Sequence, residues 1–390
     1  MIEDNKSDKT VSRLKYGMVG GGTGAFIGEV HRKAIALDGK AELAAGVFSR
    51  DYENTVKTGE SLHLDKSRLY HSYEEMAEAE AKRQDGIDFV SIVTPNNTHF
   101  PIAKAFLEKG IPVVCDKPLT LSSLEAEELK GLAATKDLLL CVTYTYTGYP
   151  TVKHLREMIK NGDLGEIRVV NAEYPQDWLA TPLEKTGHKQ SAWRTDPSQS
   201  GKSNCVGDIG SHIENMVSYL TGLKIESLCA RLDSFVAGRV LDDNATIMVN
   251  YDSGARGLYW SSQVAVGHDN GLRVRIYGTK ASAEWCQENP NYLRISYLDK
   301  PTEIISRGRD ELYAHAQGYS RIPSGHPEGY FEAFANIYTT FVNALTKKRS
   351  GAALTVEDLD FPKIEEGIRG VRFIEKCVES SEKGATWIDF

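Results

Sequence analysis

Three residues of this chain carry side chains suited to moving a proton. Lys117 stands in Asp116-Lys117-Pro118, and Asp208 and His212 stand in Gly207-Asp208-Ile209-Gly210-Ser211-His212. An amine can take the proton of a hydroxyl when partial burial and a neighbouring cation favour its neutral form. Asp208 and His212 are four apart, hence on one face of a helix. Glycines at 207 and 210 let other backbone or a ligand come close. His212 is expected to exchange protons near neutral pH. Each has a plainer reading: Lys117 as a solvated lysine on a Pro-terminated turn, Asp208 as a helix N-cap, and His212 as a packing residue.

A second chemistry lies near the N-terminus. Leu14 to Val19 reads as a short buried strand, Glu29 to Leu37 as a helix, and Ala41 to Arg50 as a second strand and its exit. Between the first two lies Gly20-Gly21-Gly22-Thr23-Gly24-Ala25-Phe26-Ile27-Gly28. A glycine-rich turn between strand and helix lets backbone approach a pyrophosphate, which the helix N-terminus then attracts. Gly20, Gly22 and Ala25 satisfy G-x-G-x-x-A, while Gly28 is the better third glycine if the loop is long; a glycine-rich surface turn is the bland alternative. A ribose-binding acid is expected about twenty residues on. Ser49 stands there, and Asp51 comes two places later. Ser49 and Arg50 could bind a 2′-phosphate instead, so NADP should be tolerated, with NAD still possible.

These groups must be held by a scaffold, and 390 residues suggest two domains. From 14 to 148, apolar strands alternate with helices, which implies a parallel sheet covered on both faces. Ligands gather beyond the C-terminal ends of such strands. Thr94, Pro95, Asn96, His99, Asp116, Lys117 and Tyr144 all sit at or just after such ends. From 149 to 390, period-two strands dominate between Ile167 and Tyr297, joined by hairpin connections such as Asp252-Ser253-Gly254. The fold class is therefore α/β: an N-terminal Rossmann domain, then an α/β domain with a large, open, mostly antiparallel sheet. A helix is expected over Asp208 to Leu220, and a closing helix, 362–381, near the domain boundary. Residues 1–13 are polar and read as a disordered leader.

Composition narrows the partners. A net charge of −8 without a long basic tract disfavours nucleic acid and anionic membranes. No apolar run approaches the roughly 18 residues of a membrane span. Six scattered cysteines without a CxxC pair argue against a zinc site or a disulfide framework, and so for no metal and a reducing cytoplasm.

Asp116-Lys117-Pro118 joined to Gly207-Asp208-x-Gly210-x-His212 resembles the glucose–fructose oxidoreductase / inositol dehydrogenase family (Gfo/Idh/MocA), and the likeness runs from Tyr16 to Trp387. Thr94-Pro95-Asn96-Asn97-Thr98-His99 looks like that family's loop against the nicotinamide-side ribose. Asp116 replaces the family's usual Glu. Two departures stand out: the glycine loop is longer than usual, and Val142 to Thr147, with Tyr144 and Tyr146, lacks the family's Asn-x-Arg. The resemblance implies an NAD- or NADP-dependent dehydrogenase acting on a secondary alcohol of a sugar, glycoside or cyclitol. The same site could run in reverse as a keto-sugar reductase, and a non-catalytic dinucleotide sensor is the rival of another class.

Further candidates are looser. Asp177, Trp178, Trp193 and Arg194 lie in a long strand-poor stretch, where an indole face could cover a sugar or nicotinamide and a guanidinium could bind its oxygens. His326 could reach the site or only serve a turn. An open sheet face larger than a few hundred Å² is unusual on a monomer, so a dimer or tetramer formed through the C-terminal sheet is expected.

Overall fold

The computed structural model describes residues 13–390; except for Arg13, the expected leader lies outside them. β1 (Leu14–Gly20) runs into the glycine turn and α1 (Phe26–Leu37). There follow β2 (Ala41–Val47), α2 (Tyr52–Ser61), α3 (Tyr73–Lys82), β3 (Phe89–Val93), α4 (His99–Glu108), β4 (Val113–Cys115), α5 (Ser123–Thr135) and β5 (Leu140–Val142). The strands form one five-stranded sheet, in the order β2-β1-β3-β4-β5, all parallel. Their apolar character follows from burial on both faces.

The second half contains α6 (Pro150–Lys160), β6 (Ile167–Pro175), α7 (Lys189–Arg194), α8 (Pro197–Ser200) and α9 (Ser211–Thr221). β7 (Ile225–Asp233), β8 (Asn244–Tyr251), β9 (Arg256–Ser262), β10 (Arg273–Gly278), β11 (Ala281–Cys286), β12 (Tyr292–Tyr297) and β13 (Glu303–Ser306) come next. α10 (Ala314–Gln317), α11 (Tyr330–Arg349), α12 (Ile364–Glu382) and β14 (Ile388–Asp389) close the chain. The nine-stranded sheet has the order β13-β12-β11-β10-β6-β9-β8-β7-β14, with β6 and β9 its parallel pair. Alternation along each strand sends Val170, Ala172, Ile247, Val274 and Ile295 into a core with α6, α9 and the end of α12. The opposite face leaves Val169, Met248, Leu258, Tyr277 and Ile304 exposed.

α11, although it follows the 148/149 division in sequence, returns to the first sheet. Phe334, Ile337, Tyr338 and Phe341 pack there with Tyr16, Met18 and Phe89, each large apolar side chain contributing about 1.5–3 kcal/mol. α12 spans both halves: Ile364, Ile368 and Val371 join the five-stranded sheet's core, while Phe373 and Ile374 join the other. The helix expected over 208–220 is divided. Val206–Gly210 is a π-helical turn, and the regular helix starts at Ser211. The wider turn accompanies a cross-domain bond, since the Asp208 carbonyl accepts from Lys117 Nζ. Such turns recur at functional sites.

Candidate active site

One cleft of about 1380 Å³ runs from the glycine turn to the π-helical turn. Its first wall is the end of β1. Gly20 and Gly24 have positive φ. A β-carbon on Gly22 would lie 2.7 Å from the Phe48 carbonyl oxygen, so backbone here is packed against backbone. Gly22, Thr23, Gly24, Ala25, Phe26 and Ile27 line the cleft. Gly28 does not; a β-carbon there would lie 2.3 Å from Gly21 Cα. Gly28 therefore seats α1 against the turn. Ala25, at the N-cap of α1, offers no side-chain cap, leaving the first-turn N–H groups for an anion. The cradle and the uncapped helix fit a dinucleotide pyrophosphate.

Ser49 and Arg50 also line the cleft. Asp51, the nearest acid in sequence, caps α2 by accepting from Glu53 N at 3.0 Å and does not line the cleft, whereas the Glu74 carboxylate does. Thr94, Pro95, Asn96 and Asp116 form the floor farther in. Asp116 Oδ1 accepts from Lys117 N (2.9 Å) and Thr143 Oγ1 (2.8 Å). His99 does not face the cleft. It is buried with its ring nitrogens 2.8 Å from the Pro118 carbonyl and 2.9 Å from that of Thr94, and thus braces two strand-end loops.

At the inner end the two halves of the chain meet. Lys117 Nζ donates to Asp208 Oδ1 at 2.8 Å. Asp208 Oδ2 accepts from Gln263 Nε2 (2.9 Å) and Arg194 Nε (3.3 Å). Burial opposes the charged carboxylate, but the Lys117 and Arg194 cations outweigh it and hold Asp208 well below the carboxylate range. His212 is edge-on to Tyr146, with ring centroids 4.8 Å apart, and to Tyr144 at 5.6 Å. Burial first, then the Lys117 cation, hold His212 well below the ordinary imidazole value. Both causes favour the neutral ring over the imidazolium.

Tyr146 lines the cleft, whereas Tyr144 is buried beneath it. The Tyr146 and Tyr174 hydroxyls are hydrogen-bonded. Tyr174 in turn donates to Asn270 Oδ1 at 2.6 Å, which also accepts from Gln176 Nε2 at 2.8 Å. Trp178 Nε1 donates to Gln176 Oε1 at 3.0 Å. Tyr174, Gln176, Asn270 and Gln263 were not singled out from the sequence. Tyr174 and Gln176 could have been, since they end β6 as the first-domain candidates end theirs; Asn270 and Gln263 carry no such signal. Trp193 and Arg194 line the cleft too, but the guanidinium lies 4.3 Å from the Trp193 ring centroid, so it occupies part of that indole.

Asp177 and His326 lie outside the site. Asp177 accepts from Gly267 N at 3.0 Å and fixes a loop. His326 is exposed, and its carbonyl takes a bond from Arg307.

Comparison with known proteins agrees with this layout. The family described as "Oxidoreductase family, NAD-binding Rossmann fold" matches residues 14–144, and "GFO/IDH/MocA C-terminal domain" matches residues 152–284. The uncharacterized oxidoreductase YfiI of Bacillus subtilis (strain 168) is 39% identical, over 97% of each chain. An inositol dehydrogenase homolog from Azotobacter vinelandii, solved with NAD+, superposes with a TM-score of 0.94 at 37% identity over 100% of both chains. Such a homolog with NADH and myo-inositol gives 0.91 at 37% identity, over 97% of this chain and 98% of that one.

Proposed function

The chain belongs to the Gfo/Idh/MocA oxidoreductase family, and from that premise we propose that it reversibly oxidises a secondary alcohol of a neutral cyclitol or sugar, with NAD or NADP. The observation that carries this reading is the convergence of Lys117, Asp208 and His212 at the inner end of the cleft that begins at the glycine turn.

The nicotinamide supplies the hydride acceptor or donor when bound. Residues of the glycine turn and of the loop at Thr94–Asn96 would hold the dinucleotide. Lys117 moves the hydroxyl proton: neutral, it accepts it during oxidation, and as the ammonium it returns it during reduction. Asp208 fixes the Lys117 nitrogen and is itself fixed by Gln263 and Arg194. His212, neutral, orients the substrate hydroxyl. The Tyr146, Tyr174, Gln176 and Asn270 network supplies uncharged donors and acceptors along the wall. Arg194 is held by Asp208 and by Gln190 Oε1 (2.6 Å), so that wall favours hydroxyls over a carboxylate or phosphate. The similar structure with NADH and myo-inositol supports a cyclitol.

Residues 14–148 together with α11 form the cofactor half, and most of 149–390 the substrate half. Self-association as a dimer or tetramer uses the exposed face of the nine-stranded sheet. The six cysteines are unpaired, which supports a cytoplasmic setting, and no described helix is long and apolar enough to cross a membrane.

The test is NAD(P)H absorbance with a panel of inositols, hexoses, glucosides and keto-sugars. Turnover of a neutral polyol or its ketone is expected. Dinucleotide binding without turnover of any of them would point to a sensor.

A further inference from the structure

α7 stands across the cleft from the glycine turn. Its residues face two ways. Arg194 and Gln190 turn inward, bonded to each other and, through Arg194, to Asp208. Lys189 turns toward the glycine turn, where its Nζ lies 3.7 Å from the place a β-carbon on Gly24 would occupy. Lys189, Gly24 and Phe26 line the same mouth. Phe26 is 66% exposed there.

No carboxylate among the described residues pairs with Lys189 in a salt bridge, although many other cations of this chain are so paired. A free ammonium therefore faces the uncapped N-terminus of α1, itself a positive dipole end. Two positive groups held toward each other across a cleft repel unless an anion lies between them. The anion that fits both the cradle and this gap is a pyrophosphate.

We propose that Lys189 supplies a cross-cleft contact to the dinucleotide pyrophosphate and thereby ties segment 183–201 to the bound cofactor. The inference rests on the dinucleotide reading above. Its consequence concerns the order of assembly. Trp193 and Arg194 form part of the substrate wall and share a six-residue helix with Lys189. Pyrophosphate bound at Lys189 thus steadies that wall before substrate arrives.

The experiment measures affinities for NADH, ADP-ribose and adenosine by calorimetry, in wild type, Lys189→Met and Lys189→Arg. Lys189 is exposed, so neither change threatens the fold. Lys189→Met should weaken NADH and ADP-ribose alike, by about 5- to 30-fold, as expected for a charge-assisted bond partly screened by solvent. Adenosine, which lacks the pyrophosphate, should bind unchanged, and Lys189→Arg should restore most of the loss. In parallel, ADP-ribose should slow amide hydrogen exchange over 183–201 in wild type but not in Lys189→Met. Equal ADP-ribose affinity in wild type and Lys189→Met overturns the inference, as does an equal loss for adenosine. If wild type itself fails to bind ADP-ribose and NADH, the dinucleotide reading falls first.

Discussion

Lys117 Nζ and Asp208 Oδ1, 2.8 Å apart, join a strand end of the parallel sheet to the π-helical turn before α9. Both side chains are largely buried, so the pair is shielded from the screening that weakens surface ion pairs. It fixes the nitrogen that we propose moves the proton. Lys117→Ala should lower turnover by about 10²- to 10⁴-fold, the usual contribution of a general acid–base residue. Dinucleotide affinity should change little, because the glycine turn is untouched. Stopped-flow hydride transfer separates this from slow product release, and a wild-type transfer rate in Lys117→Ala would refute the assignment.

His212 should behave differently. Burial and the Lys117 cation push its pKa well below the ordinary imidazole value, which favours the neutral ring as a hydrogen-bonding group. His212→Asn keeps a hydrogen-bonding side chain of similar reach. It should raise KM for the polyol more than it lowers kcat, with no change in the shape of the pH profile between pH 6 and 8. Loss of an ionisation from that profile would assign the proton transfer to His212.

The parts of the fold legible in the sequence are those written locally. Apolar strands and the glycine turn each mark their own conformation, whereas the π-helical turn at Val206–Gly210 was not legible. What escaped depends on distant pairing. Tyr174 meets Asn270 because β6 lies beside β10 with Ala172 opposite Val274, a register that no short stretch encodes. His99 and Asp177 lie close in sequence to functional groups, but adjacency does not set side-chain direction. One is turned between two carbonyls and the other to a loop amide. α11 reads as a second-domain helix by position, and its packing on Tyr16 and Phe89 follows only from the closed fold.

Cofactor choice turns on the end of β2. Asp51 is engaged as the cap of α2, and Arg50 is exposed at the cleft. Arg50→Ala should weaken NADPH by about 5- to 30-fold, the range for a solvent-screened bond to a phosphate, and leave NADH unchanged. Titration of both cofactors by nucleotide fluorescence checks this. Exclusion of NADPH by wild type, with both affinities unaffected in Arg50→Ala, would show the argument to be wrong.

Assembly can be tested on the open sheet. Met248 and Leu258 are cross-strand partners on β8 and β9, and both are exposed. Wild type should scatter light as a dimer or tetramer at micromolar concentration. Met248→Glu with Leu258→Glu places two like charges side by side on that face and should yield a monomer. A wild-type monomer, or a double variant of unchanged mass, excludes this face as the interface.

The last expectation concerns acid stability. His31 is fully buried between α1 and α11, with Nδ1 2.7 Å from Tyr338 OH, whose oxygen is also 2.8 Å from Ser91 Oγ. Burial lowers its pKa to about 4. Above the unfolded value, near 6.5, the ring is neutral in both states and its contribution is complete. As pH falls from about 6.5 toward 4, the unfolded chain takes up a proton that the folded protein refuses, and stability declines by at most about 1.4 kcal/mol per pH unit. Below about 4 both states are protonated and this loss stops. The full effect of this group is roughly 3 kcal/mol. His154, His99 and His212 are shifted in the same direction by burial, so wild type alone reports their sum. The measurement is therefore a difference: urea unfolding at pH 7 and at pH 4.5, in wild type and in His31→Gln, which keeps a bond to Tyr338 without the ionisation. His31→Gln should lose less stability between the two pH values than wild type does, and an identical loss would mean that His31 is not the neutral, buried group between these helices.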